Sequence, residues 1–154
     1  MAWLVRDGEV LAPRLSRTIL WALFATLALT GGWALGAPRS FYDSFPGAGH
    51  TWVALLPPYN EHLVRDVGGL SLGLAVVTAA AALTLEQRLV IVAALAILVW
   101  STPHLIFHLG HLEGLSTTDK VGQVVVLALG VAAPLALLGL AVAAGRGAHS
   151  TRSP

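Results

Sequence analysis

Leu89–Glu113, LVIVAALAILVWSTPHLIFHLGHLE, decides how this chain is built. It is apolar over its first dozen residues and long enough to cross a hydrocarbon core, which takes about 20 residues in a helix. It then carries His104, His108 and His111 after Pro103. At about 100° per residue the three imidazoles fall within an arc of roughly 60°, and Trp100 continues the stripe. A membrane-spanning helix with three histidines on one face is therefore the expectation from which the other segments are read.

Three more apolar segments surround it. The spans are expected at about residues 18–36, 61–83, 87–113 and 120–145, joined in a single integral membrane domain. With 56% hydrophobic and 11% charged residues, the chain is far below the roughly 25% charge of soluble domains. The predicted fold is an all-α four-helix transmembrane bundle with a long extracytoplasmic loop between helices 1 and 2. Arg14 and Arg17 before the first span also fit a secretory signal with Ala34-Leu35-Gly36 as its cleavage site. The apolar run exceeds the usual 7 to 15 residues of such a signal, so the first span is expected to stay. A net charge of +1 gives nucleic acid no basic surface to bind. The absence of cysteine excludes disulfides, thiolate metal sites and iron–sulfur clusters.

The connection APRSFYDSFPGAGHTWVALLPPYN, residues 37–60, contains four prolines and two glycines that forbid a continuous helix. Its aromatic residues suit a membrane interface and predict a packed cover. Asn60 after Pro57-Pro58 is an expected N-cap for span two. Thr84-Leu85-Glu86-Gln87 reads as a capping box opening span three, and Ser116 to Asp119 as a cap for span four. The short turn at Thr84 makes spans two and three antiparallel neighbours.

Span two begins EHLVRDVGG. His62 with Asp66, and Glu61 with Arg65, are each one turn apart. Gly69 and Gly73 continue the His62 and Asp66 face as a small-xxx-small pattern, so this polar face is expected to point into the bundle. At a rise of about 1.5 Å per residue, His62 falls level with His111, and Asp66 level with His108. The candidate site is His62, Asp66, His104, His108 and His111, supported by Glu61, Arg65, Glu113 and Trp100.

Ionisable groups in a bilayer are costly and normally face partners. Imidazole with carboxylate suits a transition metal such as Zn, Cu, Fe or Ni, and histidines on neighbouring spans suit a haem. A proton relay or an anionic lipid headgroup site is the alternative, as is a non-catalytic accessory subunit whose polar end packs on a membrane-protein partner. A satisfied interfacial polar cluster without ligand is the plainest reading. His104-Leu-Ile-Phe-His108 matches one histidine box of membrane di-iron enzymes, which need several.

Arg6, Arg14, Arg17, Arg88, Arg146 and Arg152 oppose Arg39, Arg65 and Lys120. The positive-inside rule therefore puts both termini in the cytoplasm, and the use of eight Arg against a single Lys with abundant Ala, Leu, Val and Gly points to a bacterial inner-membrane protein. Taken together, FYDSFPG (41–47), PYNEHLVRDVGG (58–69) and HLIFHLGH (104–111) resemble small four-span bacterial membrane proteins, loosely similar to the DoxX-like superfamily. That resemblance implies the fold and the location, and no reaction.

Overall fold

The computed structural model describes residues 10–150, with side chains to Ala143. Trp3, Leu4, Arg6 and Arg152 lie outside the described residues, as do the side chains of Arg146 and His149. Helices run over Pro13–Gly36 (α1), Pro38–Ser44 (α2), Glu61–Thr84 (α3), Gln87–Leu109 (α4) and Thr117–Ser150 (α5). Four of them, α1, α3, α4 and Thr117–Ala143 of α5, are long and apolar enough to cross a membrane. The chain is accordingly an all-α four-helix bundle and an integral membrane protein.

The 37–60 connection is structured. Besides α2 it holds a two-residue antiparallel hairpin, β1 (Pro46–Gly47) and β2 (His50–Thr51). Gly47 and Gly49 take positive φ in its turn, as glycine readily does. Phe45 packs against Phe41 and Trp33, and Trp52 meets Phe45 edge-on. We refer to residues 45–59 as the cover, and to the opposite end of the bundle, at Leu85–Glu86, as the turn end.

Several helix ends follow local chemistry. Asn60 accepts the Leu63 amide at 3.1 Å, as an N-cap should. Ser116 likewise accepts the Asp119 amide at 3.1 Å at the start of α5. Helix α1 begins earlier than the expected span, at Pro13, whose fixed φ suits a first helical position.

Two expectations fail at helix ends. Thr84 does not open α4; it ends α3, donating its hydroxyl to Ala80 O at 2.9 Å, and Leu85 follows in the left-handed region at φ 53°. The N-cap of α4 is Glu86, without a side-chain bond, and Gln87 instead donates to Ala141 O on α5 at 2.5 Å. At its other end α4 stops at Leu109, four residues short of Glu113. His111 turns its own Nδ1 to Phe107 O at 2.7 Å, the carbonyl that its amide would use in a longer helix. The amide goes to His108 O instead, at 3.0 Å. A side chain that competes for a backbone carbonyl next to a glycine is enough to end the helix.

The most extensive packing is α1 on α3 and α4 on α5; α3 and α4, though joined by the short turn, share less surface. A core of Leu20, Ala81, Ala82, Leu85, Val90, Ala94, Leu137 and Ala141 ties all four long helices at the turn end. Farther along, Leu27, Ala75 and Ile97 continue it through α1, α3 and α4. At the cover end Ala34, Phe41 and Val64 join α1, α2 and α3, with Val53 of the cover against them.

The α1–α3 contact is a backbone contact. A Cβ on Gly68 would lie 2.5 Å from Leu35 N, and one on Gly31 would lie 2.9 Å from Gly68 O. Glycines let helices in a membrane approach this closely. The residues responsible are Gly31 and Gly68. Gly69 and Gly73 have open space where a side chain would stand, so the face that they share with His62 and Asp66 points outward. Gly68→Ala should lower stability by about 1 to 3 kcal/mol, as overpacking does, in thermal or detergent unfolding. Gly69→Ala should leave it unchanged or raise it by up to about 1 kcal/mol through helix propensity.

Candidate functional site

The α4 histidines form a continuous stack. Trp100 lies parallel to His104, with centroids 4.8 Å apart and planes 18° apart, and His104 meets His108 edge-on at 4.6 Å. His111 is stacked on Phe107 at 4.0 Å, on the short turn after α4. His104 and His108 are half-buried, whereas His111 and Glu113 are exposed. The apolar start of α4 and its one-turn spacing explain this placement: Ile97, Ser101, His104 and His108 continue the buried face inward to outward.

Two buried oxygens accompany the pair. Ser101 Oγ and Gln123 Oε1 are enclosed and have no hydrogen-bond partner, the residues being 5% and 3% exposed. Counting about 1.5 Å per residue from the paired ends of α4 and α5, His104 lies about 7 Å deep, Gln123 about 9 Å and Ser101 about 12 Å. A buried polar atom left unpaired costs about 1 to 3 kcal/mol, so native proteins hold few of them. Ser101 stands one turn below His104 on α4, and Gln123 on α5 falls at a depth between the two.

On α3, His62 Nε2 is 3.2 Å from Asp66 Oδ2, and both side chains are exposed, 86% and 54%. Arg65 donates to Glu61 Oε1 at 2.9 Å and to Leu35 O at 2.6 Å. That carbonyl belongs to the last turn of α1, which has no helical donor of its own. Arg65 is thus a helix cap delivered from a neighbouring helix, and Glu61 holds it there.

The candidate residues therefore fall into separate groups: His62 with Asp66, Glu61 with Arg65, and His104 with His108 and Trp100, while His111 and Glu113 stand after the end of α4. Among the described residues, no three His, Asp or Glu side chains are grouped to hold one ion. The buried core shared by α3 and α4 reaches Ala75 and Ile97. Nearer the cover, α3 is committed to α1 and α2, and α4 to α5.

A second cluster was not singled out from the sequence. Asp119 Oδ1 accepts Trp52 Nε1 at 2.7 Å and faces His50 Nδ1 at 2.6 Å, while its Oδ2 accepts the Ser116 hydroxyl at 2.6 Å. His50 and Trp52 come from the cover and Asp119 from α5, nearly 70 residues away, so no local spacing announces the contact. Ser101 and Gln123 were not singled out either; the signals were the spacing of Ser101, three and seven residues before His104 and His108, and the place of Gln123 as the last polar side chain before the apolar stretch of α5.

A cavity of about 350 Å³ lies beside this cluster's half of the cover, lined by Leu55, Leu56, Gly110, His111 and Glu113. No family model matches the chain, and no curated protein or solved structure shows significant similarity to it.

Because the Ser101 and Gln123 oxygens are unpaired, replacing them with apolar groups of similar shape should not destabilise the purified, metal-free protein. Ser101→Ala and Gln123→Met are each expected to leave its stability unchanged or raise it by about 1 kcal/mol in thermal unfolding.

Proposed function

We propose that this is a bacterial inner-membrane protein with both termini in the cytoplasm, and that its outer end binds a transition-metal ion at His104 and His108. The orientation rests on the excess of arginine flanking the turn-end segments. With that orientation the cover and the α4 histidines are extracytoplasmic. The resemblance to small four-span DoxX-like proteins agrees with the location and adds no reaction.

The observation that carries the metal reading is the His104–His108 ring contact at 4.6 Å, set beside two buried oxygens with no partner. Imidazoles one turn apart on a helix suit neighbouring positions on one ion. They do not suit the two axial positions of one haem, which approach a plane from opposite faces. An ion is therefore favoured over a haem. Gln123 Oε1 is the neutral oxygen best matched in depth to complete the ligand set, and Trp100 fixes the plane of the His104 ring. Such an ion would supply Lewis acidity to a bound oxygen.

Protein purified in mild detergent, without exposure to chelator, should retain about one metal ion per chain by elemental analysis. His104→Ala and His108→Ala should each lose it, with no Soret band in any sample. A metal-free wild type overturns this function.

The outward face of α3 favours a second reading, an accessory subunit. His62, Asp66, Gly69 and Gly73 present a polar and glycine-lined groove to the membrane, suited to a helix of a partner protein. A stoichiometric membrane complex recovered in mild detergent should be lost with Gly73→Leu; recovery of the wild-type chain as a monomer counts against this role.

A further inference from the structure

The cover does more than pack on α1 and α2, because it also reaches across to the α4–α5 hairpin. We infer that residues 45–59 are a latched lid over an entry vestibule for a hydrated divalent cation, with Asp119 as the catch and His111 and Glu113 as the vestibule's ligands. This rests on the metal reading of His104 and His108, whose outer approach it would control.

The catch is specific. Asp119 gathers Trp52 Nε1 and His50 Nδ1 on one oxygen, at 2.7 and 2.6 Å, and its side chain is only 17% exposed. Its other oxygen takes the Ser116 hydroxyl at 2.6 Å, and Ser116 in turn caps α5. The carboxylate is thereby fixed to the helix start, and the cover is held to it by two side chains. The benzo edge of Trp52 lies against Gly122, where a Cβ would stand in ordinary contact, 3.4 Å from the indole Cζ2.

Past the catch, the same segment forms a wall. Leu55 and Leu56 face Gly110, His111 and Glu113 across the cavity of about 350 Å³, and Leu55 Cδ2 comes within 3.8 Å of where a Gly114 Cβ would be. In the cavity's lining, the exposed imidazole of His111 donates Nδ1–H to Phe107 O, which leaves Nε2 as the free nitrogen. One imidazole nitrogen and one carboxylate, in a space large enough to keep several waters, suit weak capture of a borderline divalent cation. His108 follows one turn farther in, then His104 in contact with it. The order of ligands runs from exposed and acidic to enclosed and neutral.

The lid can be opened without touching any of these ligands. Trp52→Phe removes the indole donor and leaves Asp119 in its helix cap; His50→Ala removes the other cover contact. The chain has no cysteine, so Gly122→Cys, whose Cβ would stand in ordinary contact with the Trp52 ring, provides a single thiol covered by the lid. Its labelling by a membrane-impermeant maleimide should proceed about tenfold faster when Trp52→Phe or His50→Ala is added, the population change expected from losing one charge-assisted hydrogen bond. Thermal unfolding of the doubly substituted chains should stay within a few degrees of the parent, which separates lid opening from general loosening. Unchanged labelling in both variants overturns the lid, as does faster labelling accompanied by a collapse of the unfolding transition.

The two readings fail separately. Faster labelling in a chain that retains no zinc or copper leaves the lid and removes the ion; metal retained with unchanged labelling does the reverse. With both in place, Glu113→Gln should slow uptake of zinc by the purified full-length protein about tenfold, the loss of one charge-assisted contact, and leave the final content at the wild-type level. A lowered final content with an unchanged uptake rate would place Glu113 in the inner site and overturn the vestibule.

Discussion

The rest of this bundle depends on how closely two helices approach. In a membrane, apolar side chains gain little by leaving lipid for one another, so helices associate through close packing and polar contacts. At the crossing of α1 and α3, Gly31 and Gly68 bring backbone against backbone, with Gly68 O and Leu35 N both within contact distance of a would-be side chain. That approach draws the start of α3 toward the end of α1, and α2 with the cover folds down on the pair. The remaining two long helices then pack mainly on each other. Their joint with the first pair is strongest at the turn end and thins past Ile97.

This arrangement explains why the unpaired buried oxygens lie toward the cover end. Where four helices share one core, the buried apolar residues are Leu, Val and Ala, and the buried hydroxyls of Ser16 and Thr78 donate to nearby carbonyls, Leu11 O and Leu74 O. Past Ile97, Ser101 and Gln123 are buried and His104 and His108 half-buried on α4 and α5, while Trp52 and Leu55 of the cover reach the start of α5 and the turn before it. Polar groups are tolerated there because they have other polar groups or water-accessible space beside them. The outward pair His62 and Asp66 is of another kind, since each answers the other on the helix surface.

Most of the element boundaries were legible because they follow from local chemistry: apolar length for the spans, Asn60 and Ser116 for two helix starts, proline and glycine for the cover. Partner choice was less so. A short turn makes α3 and α4 consecutive and antiparallel, but it does not say how much surface they share, and four apolar segments carry no periodic stripe to decide it. Gly68 and Gly69 are adjacent, and either begins a small-residue pattern; only the facing helix distinguishes them. The end of α4 depended on His111 choosing a carbonyl over solvent. The Asp119 contacts join segments far apart in sequence, and no motif spans them. Of the candidate site, the α4 stripe and its Trp100 neighbour were visible from spacing alone, while the role of Arg65 required its distant acceptor, Leu35 O.

That acceptor has a counterpart at the opposite membrane face. Arg17, near the start of α1, donates to Ala82 O in the last turn of α3 at 3.2 Å, as Arg65, near the start of α3, donates to Leu35 O in the last turn of α1. Each cation therefore sits at the negative end of the other helix's dipole. Sliding one helix along the other by a turn would displace both guanidinium groups by about 5.4 Å from carbonyls that have no other helical donor. An apolar surface rich in Ala, Leu and Gly would tolerate several such offsets. The two arginines act as end stops, and they fix the vertical position of α3, and with it the height at which the cover meets the hairpin of α4 and α5.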